Sequence, residues 1–161
     1  MYISVWGGDQ SRLFSLYCLV PGILFGLWFH VYLVKHYGGT PGKLLLNIKI
    51  TKLDGAPADY QEALLRYSVL MMISTIMSIA TIMVAVNMSD ELYLSMDWVE
   101  RGKYIHENMP SWYFSVFILM NVWVWSEFIV MLTNKKRRAL HDLMAGTVVI
   151  HSGAEKLLSN Q

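Results

Sequence analysis

Charge is scarce in this chain. Of its 161 residues only 16% are charged and 55% are apolar, whereas a soluble domain carries about 25% charged residues. With a mean hydropathy of +0.38, that shortage argues against an ordinary soluble domain. Cysteine is nearly missing. Cys18 stands alone inside an apolar segment, which excludes a disulfide framework and a thiolate metal site. The histidines His30, His36, His106, His141 and His151 share no metal-ligand spacing. No Ser-His-Asp or Cys-His arrangement, zincin motif or paired-carboxylate pattern occurs, so no catalytic residue, metal or cofactor is expected. The first apolar run is too long for a signal peptide and has no small-residue cleavage pattern after it.

What the chain has is long apolar runs. Leu13 to Val34, Tyr67 to Met88 and Ser111 to Leu132 are each 22 residues almost without ionised groups. As helix each would be about 33 Å long, enough to cross a hydrocarbon core of about 30 Å. Buried helices of a soluble bundle would show a polar face, and these show only scattered Ser, Thr and Asn. The expected fold is an all-α integral membrane domain over 1–161: three transmembrane helices, with a structured cytoplasmic loop between the first and second. Trp28, Trp112, Trp123 and Trp125 read as interfacial anchors and packing residues. The methionines of the second span read as core filler at helical spacing.

The loops differ in sign. Residues 35–66 carry Lys35, Lys43, Lys49, Lys52 and Arg66 against three carboxylates, and the tail opens with Lys135, Lys136, Arg137 and Arg138. Residues 89–110 hold five carboxylates against Arg101 and Lys103. The positive-inside rule places the 35–66 loop and the tail in the cytoplasm, with the N-terminus outside. The acidic loop, also outside, reads as solvated or as a surface for a partner. Leu46 to Leu53 roughly alternates ahead of Asp54-Gly55, which predicts a short strand or ribbon and a turn. Asp59 precedes Glu62 by three, a helix-start signature. A helix is expected from near Tyr60 into the second span, carrying Arg66 to headgroup depth. The third span is expected to start after Pro110.

The stretch GGTPGKLLLNIK, residues 38–49, superficially opens like a phosphate-binding loop. That loop needs Gly, four residues, then Gly-Lys-Ser/Thr after a strand. Here Leu44 follows Gly42-Lys43, Tyr37 stands where the first glycine should be, and an apolar span precedes it. Nucleotide binding is therefore not expected. Gly38 and Gly39 should end the first helix, and Thr40, Pro41 and Gly42 should form a tight turn at the membrane face. Lys43 would then snorkel to phosphates while Leu44 to Leu46 return to the interface.

Two blocks resemble the RDD family of small bacterial membrane proteins. One is Gly39-Thr40-Pro41-Gly42-Lys43-Leu44-Leu45 with Asp54-Gly55 and Ala63-Leu64-Leu65-Arg66; the other runs from Arg138 to Val149. The resemblance covers roughly 13–150. Members usually begin with a further span carrying an Arg and an intramembrane Asp. Arg12 does not match that pattern cleanly, since Leu19 stands where the Asp would fall, so the chain reads as a member without that helix. Of the residues that name the family, Asp142 carries over. The resemblance implies location in the bacterial inner membrane and, from some relatives, cation–proton antiport.

Several polar residues are candidates for a role. Glu127 is the acidic residue within a span, where a carboxylate is costly unless paired or protonated. Its candidate partners are Arg66, Lys135 or a basic residue of another protein, and His30 could meet it from the first span. His141 and Asp142 are expected to clasp the two ends of the domain, Asp142 reaching either the Lys135–Arg138 bases or the Thr40–Gly42 turn. The four bases are expected to hold lipid phosphate; the run is too short and lacks the interleaved aromatics expected for nucleic acid. Two functions follow. The first is a non-enzymatic accessory or scaffolding subunit bound to a larger membrane protein. The alternative is a cation/proton antiporter or other small transporter completed by self-association.

Overall fold

A computed structural model describes residues 11–151; the acidic Asp9 and the tail beyond His151 lie outside the described residues. Helix α1 (Phe14–Leu27) contains Pro21 and passes into a π-helical turn, Trp28–Tyr32. Helix α2 (Leu33–Tyr37) follows and ends at Gly38, whose φ of 78° is left-handed, a conformation that a Cβ would strain. Then come α3 (Pro41–Leu45), strand β1 (Ile48–Lys52) and the long α4 (Tyr60–Asn87). Short helices α5 (Asp90–Ser95) and α6 (Trp98–Glu107) precede α7 (Ser111–Thr133). The described chain closes with α8 (Leu140–Ala145) and β2 (Thr147–His151).

Among the described residues, three stretches are long and apolar enough to cross a bilayer: Phe14–Leu45, Tyr60–Asn87 and Ser111–Thr133. The fold is mostly helical, with one amendment to the all-α expectation. β1 pairs antiparallel with β2, from Ile48 opposite His151 to Lys52 opposite Thr147. A strand was expected near β1; its partner in the tail was not.

The chain divides into two compact units. One comprises Met1–Ile23 and Ile73–Leu119, the other Leu24–Met72 and Met120–Gln161. In the first, the loop expected to be solvated forms α5 and α6. Ser89 caps α5 by accepting from the Leu92 N–H at 3.2 Å. Asp97 and Glu100 form a reciprocal capping box on α6, satisfying two backbone donors that a helix start otherwise leaves unpaired. Arg12 donates to the carbonyls of Val86 and Met88 at the end of α4, and pairs with Asp90 at 2.7 Å. The Arg101 guanidinium lies 3.9 Å from the centre of the Tyr93 ring.

The second unit has a small apolar core of Val31, Val34, Ile50, Ala58 and Ala63, with Leu27 and Tyr67 packed on it. Gly26 lets α1 approach α4, because a Cβ there would collide with the Tyr67 hydroxyl. Thr40 stands outside α3 and Pro41 is its first residue, where the missing N–H has no intrahelical partner to lose. Thr40, Pro41 and Gly42 therefore open a short helix instead of closing a tight turn. The Gly38 carbonyl accepts from the Ile50 N–H at 2.7 Å, which hooks the end of α2 to the sheet. At the start of α4, Glu62 reaches back to the Asp59 N–H at 2.8 Å. Asp59 does not complete the box. It turns to the Tyr60 N–H and to Lys35, both at 2.8 Å, and the Lys35 bond holds its carboxyl below the usual range.

Candidate functional site

The second unit gathers most of the polar residues that the sequence singles out. Arg66, on α4, projects its guanidinium to Asp142 on α8, a residue 76 positions away. Nη1 also donates to the Thr147 hydroxyl at 2.6 Å, and that hydroxyl donates to Asp142 Oδ1 at 3.0 Å. The other carboxylate oxygen, Oδ2, accepts from the Ala139 N–H at 3.2 Å. Side-chain exposure is 7% for Arg66 and 5% for Asp142, and Thr147 is fully buried. A buried ion pair is tolerable only when its remaining donors and acceptors are satisfied, and here Thr147 and Ala139 do much of that.

Asp142 thus meets neither the Thr40–Gly42 turn nor, through its carboxylate, the tail bases. The nearest of those bases makes a different contact. Arg138 donates from Nε to the Thr147 carbonyl at 2.8 Å and from Nη2 to the Asp142 carbonyl at 2.9 Å. It braces the α8–β2 corner and is not free for lipid phosphate in the way first expected. Lys135, Lys136 and Arg137 are exposed. Arg137 takes a left-handed φ of 50° in the turn after α7.

His141 connects the clasp to α7. Its Nε2 lies 3.0 Å from Arg66 Nη2, and its Nδ1 lies 2.5 Å from Glu127 Oε2. A guanidinium only donates, so Nε2 must accept and the ring proton sits on Nδ1, donated to Glu127. This arrangement specifies a neutral ring. Burial, and then the Arg66 and Lys43 cations, lower the His141 pKa, while Glu127 partly opposes them. Glu127 therefore pairs with His141, not with Arg66 or Lys135. The His30 ring, within the π-helical turn, stacks on Tyr67 with centroids 4.5 Å apart and makes no hydrogen bond to Glu127.

These groups border a cavity of about 340 Å³, whose polar lining is His30, Thr40, Lys43, Arg66, Glu127 and His141. Its apolar walls include Phe29, Val34, Leu70 and Trp123. Lys43 lines this space, and its ammonium forms no ion pair or hydrogen bond with another described residue. Among the described residues, no group of three or more His, Cys, Asp or Glu could hold a metal ion.

Thr147 and Tyr67 are the residues that sequence reasoning missed. An isolated Thr in Ala145-Gly146-Thr147 carries no signal of its own. The β-branched run TVVI, residues 147–150, is the available hint that this tail forms a strand.

Three long apolar helices with a buried polar clasp beside them define a small integral membrane protein. The chain belongs to the RDD family, whose model matches residues 2–146. Neither the curated proteins nor the solved structures contain a match.

Proposed function

We propose that this protein is a non-enzymatic accessory or scaffolding subunit of a larger complex in the bacterial inner membrane. The N-terminus would lie outside, with the clasp and the exposed bases of the tail at the cytoplasmic face. The observation that carries this reading is α7. None of its 23 residues is buried, and large apolar side chains such as Phe114, Val122, Trp125 and Phe128 are exposed along it. Association of membrane helices rests on close packing and polar contacts, and the exposed face of α7, away from the half-buried stripe that carries Trp123 and Glu127, is free for them. The clasp favours the same role, because Arg66, Asp142 and Thr147 satisfy one another and leave a rigid support beside the helix.

A second reading is a cation/proton antiporter completed by self-association. The observation in its favour is the cavity, where the titratable groups Glu127 and His141 are hydrogen-bonded and His30 shares the lining. Recovery from native membranes in mild detergent, with the species weighed intact, separates the two. The expected result is a larger membrane protein at fixed ratio. A closed oligomer of this chain alone would overturn the accessory role, and ion flux in proteoliposomes would then be the next measurement.

A further inference from the structure

The cavity holds a cation without a counter-ion. Around it each carboxylate is engaged elsewhere: Asp142 with Arg66, Thr147 and Ala139, and Glu127 with His141. Lys43 has none of these partners. Thr40 lines the same space, and its hydroxyl does not cap α3. The bonds of Arg66 to Asp142, Thr147 and His141 use Nη1 and one hydrogen of Nη2, and a guanidinium has five N–H donors. Two basic side chains and a threonine thus border the cavity against the single carboxylate of Glu127.

Ammonium, guanidinium and hydroxyl donors converging from different elements suit an oxyanion with several oxygens. The volume, about 340 Å³, lies at the lower end of the range of about 300–1,000 Å³ typical of small-ligand sites. The rest of the lining is largely apolar and includes Phe29, Leu70, Trp123 and Val124, so the site also accommodates the non-polar continuation of an amphiphile.

We propose that this cavity binds a phosphate group through Lys43, with Thr40 and Arg66 as supporting donors. The phosphate comes from an anionic lipid headgroup or from a free phosphate ion. The site is distinct from the exposed bases of the tail, and it does not depend on whether the protein is an accessory subunit or a transporter.

The test uses the full chain in neutral maltoside detergent, with two probes: phosphatidylglycerol in mixed micelles, and inorganic phosphate. Intact-mass measurement counts retained lipid, and the unfolding temperature reports either probe. Wild type should retain about one phosphatidylglycerol per chain or be stabilised saturably by phosphate. Lys43→Gln should weaken that binding at least tenfold, and Lys43→Arg, which keeps the charge, should retain it. Because Lys43 has no ion pair to lose, Lys43→Gln should match wild type in unfolding temperature without either probe. Val124→Trp, which adds bulk among the apolar lining residues, distinguishes the sources: loss of the lipid response means a headgroup, and an unaltered phosphate response means the free ion. If neither probe saturates at one per chain, the proposal fails. It also fails if Lys43→Gln binds as wild type does, or if Lys135→Gln with Lys136→Gln lowers binding as much as Lys43→Gln.

Discussion

The two units of this protein are secured by different means. In the unit holding α5 and α6, most polar contacts are local or exposed: Ser89 and Asp97 cap helices within a few residues, and Arg12 pairs with an Asp90 whose side chain is 73% exposed. In the unit holding the sheet, the contacts of the clasp are distant in sequence and buried. Arg66 meets Asp142, Thr147 and His141 across more than 70 positions, and β1 pairs with a strand nearly 100 residues away. Exposed pairs are worth about 0–1 kcal/mol, whereas disrupting a buried pair from one side costs several times more. The first unit should therefore tolerate loss of any one contact, and the second should not.

The largest effect expected from that difference is at Asp142. Asp142→Ala leaves the Arg66 guanidinium buried without its charge partner, a change worth about 3–5 kcal/mol. Membrane abundance should fall steeply, and residues 134–151 should become sensitive to protease. Thr147→Val keeps the shape but removes the hydroxyl shared by Arg66 and Asp142, and should cost about 1–3 kcal/mol. Wild-type abundance and protease resistance in Asp142→Ala would mean that the clasp is not what secures this unit.

A smaller effect should come from acid. The lowered pKa of His141 means that the folded state disfavours the protonated ring. The stability that this group contributes is fully present above the ordinary histidine value of about 6.5, and it is lost as pH falls through the lower folded value. Structurally, a second ring proton on Nε2 would point at Arg66, setting donor against donor. Between pH 7 and pH 5, the stability difference between wild type and His141→Gln should shrink, with a slope no steeper than about 1.4 kcal/mol per pH unit, that of one proton. A difference independent of pH would show that the ring is not held neutral.

How legible each unit was in the sequence follows from the same contrast. The apolar spans, the break at Gly38, and the Asp59–Glu62 start of α4 are written in neighbouring residues and could be read directly. So could Asp97 and Glu100, which have the same spacing as Asp59 and Glu62, although the excess of carboxylates in their loop points to solvation and not to a helix. The clasp was legible as a set of residues but not as a set of pairs. Asp142 has four bases within seven residues of it, and nothing in the sequence says that distant Arg66 is its partner. Lys43 likewise reads as a snorkelling lysine, because nothing in its own turn indicates that a cavity lined from six other elements would form around it.

The smallest effect belongs to the locally secured unit and sharpens the contrast from its other side. Asp97 Oδ1 accepts from the Glu100 N–H at 2.8 Å, and Glu100 returns a bond to the Asp97 N–H at 3.3 Å. Both groups are exposed, so Asp97→Ala removes a cap and leaves no buried charge. The cost should be about 1 kcal/mol, confined to the first turns of α6. Amide hydrogen exchange in residues 98–107 should quicken about fivefold, while residues 140–151 keep wild-type protection. Faster exchange in both places would mean that the capping box also supports the clasp, and that two differently secured units is the wrong description. Faster exchange in α6 alone is what local capping requires, since the hydrogen bonds it provides reach no further than three residues.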